Sequence, residues 1–227
     1  VGHTRSRQAV AVSPEPVLTP EQIALCRAVA HRYAGVLGDL LRLAIPPRHA
    51  AAERALDAHP VPALDPPPAP DPGPWTAYPA GPAFLRRIAA GEAPAASWLA
   101  LPGQPVEADW PHALAVAAGT AAAAGRGVLL VVPDQRDLIR VEAQLIGLLG
   151  AGCVVRLTAE QGPQARYTAW LKALRGHVRV VVGTRAAAFA PVQRLGLVAW
   201  WDDGDDLHQE PRAPYPHVRE VLLARAA

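Results

Sequence analysis

The sequence is poor in several residue types, and each shortage narrows what the chain can be. It contains no methionine, two cysteines, two phenylalanines and a single lysine, Lys172. Its longest apolar runs, such as Val128–Val132, are far shorter than the roughly 20 residues that a membrane-spanning helix needs. The sequence therefore predicts neither a membrane span nor a membrane partner.

The two cysteines, Cys26 and Cys153, lie far apart, and neither belongs to a CxxC pair. A structural zinc site needs four clustered Cys or His ligands, and a disulfide scaffold needs more cysteines. We therefore expect reduced, buried thiols in a cytosolic protein, and no metal site in this chain.

The chain begins at Val1, and no charged-then-apolar leader precedes its first predicted element. We therefore expect a fragment of a longer cytoplasmic protein. The net charge is +2, and arginine supplies nearly all of the positive charge. An alanine-, arginine- and proline-rich composition indicates a GC-rich genome. The mild positive charge is compatible with contacts to a phosphate backbone but does not demonstrate them.

The first 58 residues carry one strand pattern followed by helix signals. Ala9–Val12 fits a strand. Thr19, Pro20 and Gln22 predict a helix start with a capping box, since an N-cap Thr and a Gln three residues later satisfy each other's backbone groups. Two further helices are predicted at about 36–44 and 50–58. Prolines then crowd the segment from 60 to 82, which predicts a semi-rigid linker and a domain boundary.

From residue 83 onward, helix and strand patterns alternate. Helices are predicted at 84–90, 112–124, 138–149 and 164–174, and strands at 97–101, 128–132, 153–157, 178–182 and 195–201. This alternation predicts an α/β fold, a parallel sheet with helices on both faces. Such sheets bind ligands at the carboxyl ends of their strands.

Several motifs in this order are specific enough to indicate a family. They are Leu18–Glu21, Val29–Arg42, Arg166-Tyr167-x-x-Trp170, Val180–Pro191, and Leu195–Val198 followed by the acidic cluster Asp202–Asp205. Together they resemble the primosomal replication-restart helicase family (primosomal protein N′), in a degenerate, actinobacterial-like form. The Val180–Pro191 segment is similar to that family's VVxGTRSAxFAP motif, and the acidic cluster takes the place of its DEEH box.

The resemblance implies a domain layout. Residues 1–48 would be the C-terminal part of a small α+β domain that binds DNA 3′ ends, 49–82 the proline-rich linker, and 83–227 a RecA-like helicase lobe 1. The early strands of the first domain would lie before Val1. A zinc module and a second helicase lobe would follow Ala227, so zinc is expected outside this chain.

The family's ATP chemistry is predicted to be lost. A phosphate loop needs GxxxxGK[ST], whose glycines expose backbone N–H groups and whose lysine neutralises phosphate. The corresponding loop here is Pro102-Gly103-Gln104-Pro105, followed by Glu107 and Asp109 where the family has its lysine and threonine. We therefore expect no nucleotide-binding residues and no tight binding of ATP or Mg²⁺.

The acidic box leaves two interpretations open. Asp202 and Asp203 keep two carboxylates that would retain Mg²⁺ binding, or they belong to a solvated acidic loop at a strand end. Asp205, Asp206 and His208 offer a further, adventitious cation site. In either case we predict no catalytic residues and regard Asp202 and Asp203 as remnants.

DNA contacts are the chemistry that the resemblance retains. Gly183, Thr184 and Arg185 follow a predicted strand, where helicase lobes of this class touch the nucleic-acid backbone. The alternative is a structural turn in which Arg185 pairs with a nearby acid. Arg5 and Arg7 on the N-terminal strand are further candidates for DNA contact.

The leading hypothesis is thus a DNA-binding replication-restart (primosome assembly) protein that acts at forked DNA or exposed 3′ ends without helicase activity of its own. It would act in the bacterial nucleoid, with single-strand-binding protein and primosome loader proteins as possible partners. Two alternatives stay open: an active ATP-dependent 3′–5′ helicase with an atypical ATP site, and a non-catalytic protein-interaction scaffold.

Overall fold

A computed structural model describes Ser13 and residues 15–59 and 64–226. Arg5, Arg7 and the predicted strand Ala9–Val12 lie outside these residues. The described helices and strands are, in chain order, α1 (Pro20–Arg32), α2 (Leu37–Ala44), α3 (Ala50–Ala58), α4 (Gly81–Ala89), α5 (Trp110–Ala123), β1 (Gly127–Val131), α6 (Gln135–Leu149), β2 (Val154–Leu157), α7 (Pro163–Leu174), β3 (Val180–Gly183), β4 (Leu195–Trp200) and α8 (Val218–Ala226).

The four strands form one parallel sheet in the order β2-β3-β1-β4. The central strands β1 and β3 are buried along their whole length, which explains why their sequences are continuous apolar runs rather than alternating ones. The predicted α/β fold, compatible with a RecA-like lobe, is confirmed.

Helices cover both faces of the sheet because successive strand residues point to opposite sides. Leu129 and Val131 of β1 pack with side chains of α1, α2, α7 and α8. Val128 and Leu130 pack instead with side chains of α4, α5 and α6. Within the described ranges, no helix combines the length and apolar character needed to cross a bilayer.

The N-terminal helices share a core with the sheet. The predicted capping box at the start of α1 is confirmed: the Thr19 hydroxyl accepts from the Gln22 backbone N–H, and the Gln22 side chain accepts from that of Thr19. Val29 of α1 and Leu40 of α2 are fully buried in the cluster that contains Leu129 of β1. The division into 1–48, 49–82 and 83–227 stays a prediction, but residues 20–45 and the sheet bury one common surface.

The predicted strand Ser97–Leu101 is wrong. This segment has no regular secondary structure, and the Leu101 N–H donates to the Tyr78 hydroxyl instead of a neighbouring strand (3.0 Å). Trp98 packs against Trp75, while Leu99 is 90% exposed, so the alternating pattern does not correspond to a sheet position.

Part of the proline-rich segment is packed rather than extended away from the sheet. A 3₁₀ turn at Gly73–Ala77 buries Trp75, whose indole N–H donates to the carbonyl of Ala113 in α5 (2.8 Å). Aromatic side chains in this segment therefore belong to the sheet's α5 face, although its prolines predict a linker.

Candidate nucleic-acid interface

A crevice of about 480 Å³ opens at the carboxyl ends of three strands. Its walls come from the residues that follow β1, β2 and β3, from the segment between β4 and α8, and from side chains of α2, α7 and α8. Its charged lining residues are four arginines and three carboxylates: Arg42, Arg166, Arg185, Arg212, Asp134, Glu160 and Glu210. This is the place where open parallel sheets bind ligands.

The three predicted DNA-contact residues after β3 differ in position. Gly183 ends β3 against β2, where a side chain would collide: a Cβ atom would lie 1.9 Å from the Leu157 carbonyl oxygen. Thr184 lines the crevice and is 8% exposed. Gly183 therefore allows β3 to pack closely against β2, whereas Thr184 lies in the crevice wall, where a ligand would contact it.

Arg185 lines the crevice as well, but its guanidinium is already engaged. Its Nε donates to Glu210 Oε2 (2.9 Å), and its Nη1 donates to the Leu207 carbonyl (2.6 Å). The carboxylate is mostly buried, with 11% of its side chain exposed. The alternative in which Arg185 pairs with a nearby acid is thus realised in this structure, and the assignment of Arg185 as a DNA contact stays a prediction.

Arg166, in the first turn of α7, is the opposite case. Its Nε is buried without a hydrogen-bond partner, and no carboxylate of the described residues lies within ion-pair distance of its guanidinium. Burial lowers the pKa of this arginine, and the nearby Glu160 carboxylate only partly offsets that effect. Arg166 is therefore a half-buried cation that lines the crevice without a direct ion pair among the described residues.

Most other charged groups of the crevice have intramolecular partners. Arg42 pairs with Asp39 one turn earlier in α2, and Asp134 caps α6 by accepting from the Asp137 N–H (2.8 Å). Glu160 accepts from the Gln135 side chain (3.1 Å). These groups complete the wall, and they leave Arg166 as the cation with unused donors deep in it.

The position predicted for the phosphate loop lies at the same edge of the sheet, beside β4. Pro102–Pro105 form an exposed turn there, and Asp109 caps α5 by accepting from the Trp110 N–H (2.8 Å). The other Asp109 oxygen binds Arg140 (2.6 Å). The backbone donors of a helix start favour an anion such as phosphate, and here the Asp109 carboxylate already accepts from the first of them, the Trp110 N–H.

An aromatic stack fills the adjoining space. The rings of Trp110 and Trp201 are parallel, with centroids 4.0 Å apart. The Arg140 guanidinium lies 5.0 Å from the Trp110 centroid on α5, and Trp98 contacts Trp201 from the loop side. Sequence reasoning missed this cluster, because Trp110 and Trp201 are 91 positions apart and no local pattern connects them.

The two carboxylates of the acidic box do not come together as a metal site. Asp202 has a left-handed backbone (φ 55°) and is exposed. Asp203 binds Arg219 (2.6 Å) and accepts from the Trp200 indole N–H (2.6 Å), and the hydrogen bond from Arg219 lowers its pKa. Across the part of the chain that the structure describes, no three His, Cys, Asp or Glu side chains are grouped to hold a metal ion.

The adventitious cation site is also dispersed. Asp205 accepts from the Leu207 N–H (2.7 Å), and the fully buried His208 ring contacts the Trp201 carbonyl (2.8 Å). These groups close the turn that follows β4, so their role in the structure is local.

Comparison with known proteins gives a consistent result. No family model matches the chain. Over 216 residues, 95% of the chain, it is 50% identical to the probable replication restart protein PriA of Mycobacterium tuberculosis (strain CDC 1551 / Oshkosh) and 49% identical to that of Mycobacterium leprae (strain TN). It is 28% identical over 104 residues to the replication restart protein PriA of Bacillus subtilis (strain 168). The chain belongs to the PriA family.

The match covers only part of the mycobacterial PriA proteins. The chain spans about a third of their length, 32% of the Mycobacterium tuberculosis protein and 33% of the Mycobacterium leprae protein. It covers 13% of the Bacillus subtilis PriA. The similarity therefore identifies the family to which this stretch belongs, and it does not assign the activity of a whole PriA protein to the chain.

Within this PriA-family chain, sequence reasoning missed Arg166 as a candidate binding residue of the crevice. Arg166 stands inside a motif that indicates the family, yet the pattern gives it no role of its own. The available signal was its place in the first turn of a helix that follows a strand, since such turns border the carboxyl edge of a parallel sheet.

Proposed function

We propose that this chain is a DNA-contacting part of a replication restart protein and that it contacts DNA through the crevice. The observation that carries the proposal is the arginine-lined opening at the carboxyl ends of β1, β2 and β3. Arginines at such an edge bind phosphate oxygens through charge-assisted hydrogen bonds. The PriA names of the relatives support the replication-restart part of the proposal. We propose in addition that the protein acts at forked DNA or at exposed 3′ ends, in the bacterial nucleoid.

We further propose that this part of the protein does not use ATP. The Asp109 carboxylate lies against the α5 backbone donors, and the Trp110–Trp201 stack fills the space beside them. An incoming triphosphate would have to displace Asp109 and would meet its negative charge at short range. The ion pair with Arg140 partly neutralises Asp109 and stabilises its carboxylate at the start of α5.

Binding to forked DNA tests the first proposal. A gel shift or fluorescence anisotropy titration should detect binding of labelled forked and single-stranded DNA, with affinity that falls steeply as salt rises. An absence of binding to either DNA at low salt would contradict the proposal.

Isothermal titration with Mg-ATP tests the second proposal against the rival, an active 3′–5′ helicase with an atypical ATP site. We expect no measurable heat of binding. Micromolar affinity that requires Mg²⁺ would favour the rival instead. One feature of the fold supports the rival: α5 begins beside the end of β4, where a helicase lobe of this class holds its nucleotide.

A protein-interaction scaffold is the second alternative, and one specific observation favours it. The loop around the degenerate phosphate-loop position exposes three apolar side chains, with Leu99 90%, Val106 65% and Leu101 45% exposed. Single-strand-binding protein or a primosome loader would then be the partner. If the chain binds such a protein through this loop and fails to bind DNA, the scaffold alternative replaces the DNA proposal.

A further inference from the structure

Arg166 differs from the other arginines of the crevice in being half-buried without an ion-pair partner among the described residues. Arg185 has Glu210, and Arg42 has Asp39. Arg212 is exposed at the rim, where water solvates it. Arg166 is half-buried, and its Nε atom is inaccessible to solvent and without a partner among the described residues.

An arginine in this position is unfavourable unless something completes its hydrogen bonds. Guanidinium groups carry five N–H donors and stay charged at neutral pH. A charge that is removed from water without an anion nearby costs free energy. The neighbouring Tyr167 is fully buried and bound to Glu53 (2.9 Å), and Trp170 is fully buried as well, so the start of α7 is anchored and holds Arg166 at the crevice wall.

The charge of the crevice indicates what kind of anion completes the site. Four arginines and three carboxylates line the crevice, and Arg42 is paired with Asp39 outside this set. A phosphodiester carries one negative charge, whereas a nucleoside triphosphate carries several and would meet Asp134, Glu160 and Glu210. A planar guanidinium matches two phosphate oxygens at once, and the Thr184 hydroxyl lines the same crevice as a further donor.

We propose that Arg166 is the phosphate-binding residue of the crevice, and that it binds one backbone phosphodiester of the DNA in a bidentate manner. This inference rests on the proposed function and assigns the contact to Arg166 rather than to Arg185. Arg185 then holds the turn after β3 in place through Glu210 and Leu207, and Thr184 presents its hydroxyl beside the phosphate.

The test compares Arg166→Met, which keeps an unbranched apolar stem but removes the guanidinium group, with a matched control, Arg86→Met. Arg86 is exposed on α4, on the other face of the sheet, and no described carboxylate pairs with it. The 227-residue chain and its variants are titrated into fluorescein-labelled single-stranded DNA between about 50 and 200 mM salt. Thermal denaturation checks that every variant is folded.

We expect Arg166→Met to weaken binding about tenfold. It should also lower the slope of log affinity against log salt by about 0.7, the loss of one phosphate contact on a single strand. Arg166→Lys should recover part of the affinity and the whole slope, because it keeps the charge but not the two-oxygen contact. Arg86→Met should leave both values unchanged. Equal affinity and slope in wild type and Arg166→Met would overturn the inference while the proposed function stands.

A second arm separates a backbone phosphate from free phosphate. Inorganic phosphate is added to wild type and to Arg166→Met, and the melting temperature of each is measured. A rise in wild type that is absent in Arg166→Met supports the phosphate site even if the chain binds no DNA, and it then assigns free phosphate as the ligand. If wild type gives no rise and binds no DNA, the inference fails together with the proposed function.

Discussion

Two regions at the same edge of the sheet have opposite characters. The region after β4 is filled, because Asp109 lies on the α5 donors and Trp110 stacks on Trp201. The region after β1, β2 and β3 is an open crevice in which Arg166 has no direct ion pair within the described part of the chain. In the filled region Asp109 is paired with Arg140, whereas Arg166 in the open one has no ion-pair partner among the described residues.

This difference shows how one fold separates stability from binding. Buried aromatic area and satisfied donors stabilise the folded state, while an uncompensated cation lowers stability until a ligand binds. Sites that bind are often the less stable parts of a protein for this reason. Removing Trp110 from the filled region and removing the charge of Arg166 from the crevice should therefore change stability with opposite sign, and the following predictions are ordered by the size of the change.

The largest effect is expected in the filled region. Trp110→Ala should lower the free energy of unfolding by about 3–5 kcal/mol, because Trp110 is 8% exposed and its loss leaves a cavity against Trp201. Urea unfolding measures the change, and Trp110→Phe, which keeps an aromatic ring, serves as the control. A loss below about 1 kcal/mol for Trp110→Ala would mean that the stack does not stabilise this region.

An intermediate effect is expected at the wall of the crevice. Glu210→Gln should lower the free energy of unfolding by about 1–2 kcal/mol, because it removes the charge partner of Arg185. It should also strengthen binding of single-stranded DNA, because the crevice loses one negative charge and the Arg185 guanidinium loses its ion-pair partner. Urea unfolding and anisotropy measure the two quantities. Weaker DNA binding with unchanged stability would contradict the structural role given to this pair.

A small effect of opposite sign is expected at Arg166. Without phosphate or DNA, Arg166→Met should unfold within about 1 kcal/mol of wild type, on the stabilised side, because a half-buried charge without a partner is replaced by an apolar side chain. Urea unfolding in a phosphate-free buffer measures this. A large destabilisation would show that Arg166 supports the fold and would remove the contrast between the two regions.

The smallest effect is expected at Asp203 and appears mainly as a pH dependence. Arg219 lowers the pKa of Asp203, so the pair adds stability above the usual pKa of an aspartate. That stability is lost as the pH falls through the lowered value. Wild type should therefore lose more melting temperature than Asp203→Asn between about pH 5 and pH 3. Equal losses of melting temperature in the two proteins would show that the Arg219 contact contributes no stability. A rise in melting temperature on addition of Mg²⁺ would favour a metal-binding role for Asp203.

The sequence predicts most of the elements because their signals are local. The apolar run Val128–Val132 and the capping box at Thr19 and Gln22 depend on residues within a few positions of one another, and both predictions are confirmed. The strand predicted at Ser97–Leu101 is wrong because alternation alone does not show whether a neighbouring strand is available for pairing.

The candidate site depends on contacts between distant residues, and there the sequence gives less. Asp109 meets Arg140 from 31 positions away, and Arg185 meets Glu210 from 25 positions away. No periodicity reports such pairs, since they form only when the strands bring their carboxyl ends to one edge. The sequence therefore offered two interpretations of Arg185, and the fold realised the ion pair.

The sequence by itself determined the α/β alternation and the family, because the patterns that indicate them lie in neighbouring residues. Only the tertiary structure decided which charges are neutralised and which remain open. Burial and the geometry of the sheet edge set that balance: Asp109 and Arg185 have ion-pair partners, and Arg166 lines the crevice without one among the described residues. The fold sets the surroundings of each charged group, and those surroundings determine which chemistry the group can perform.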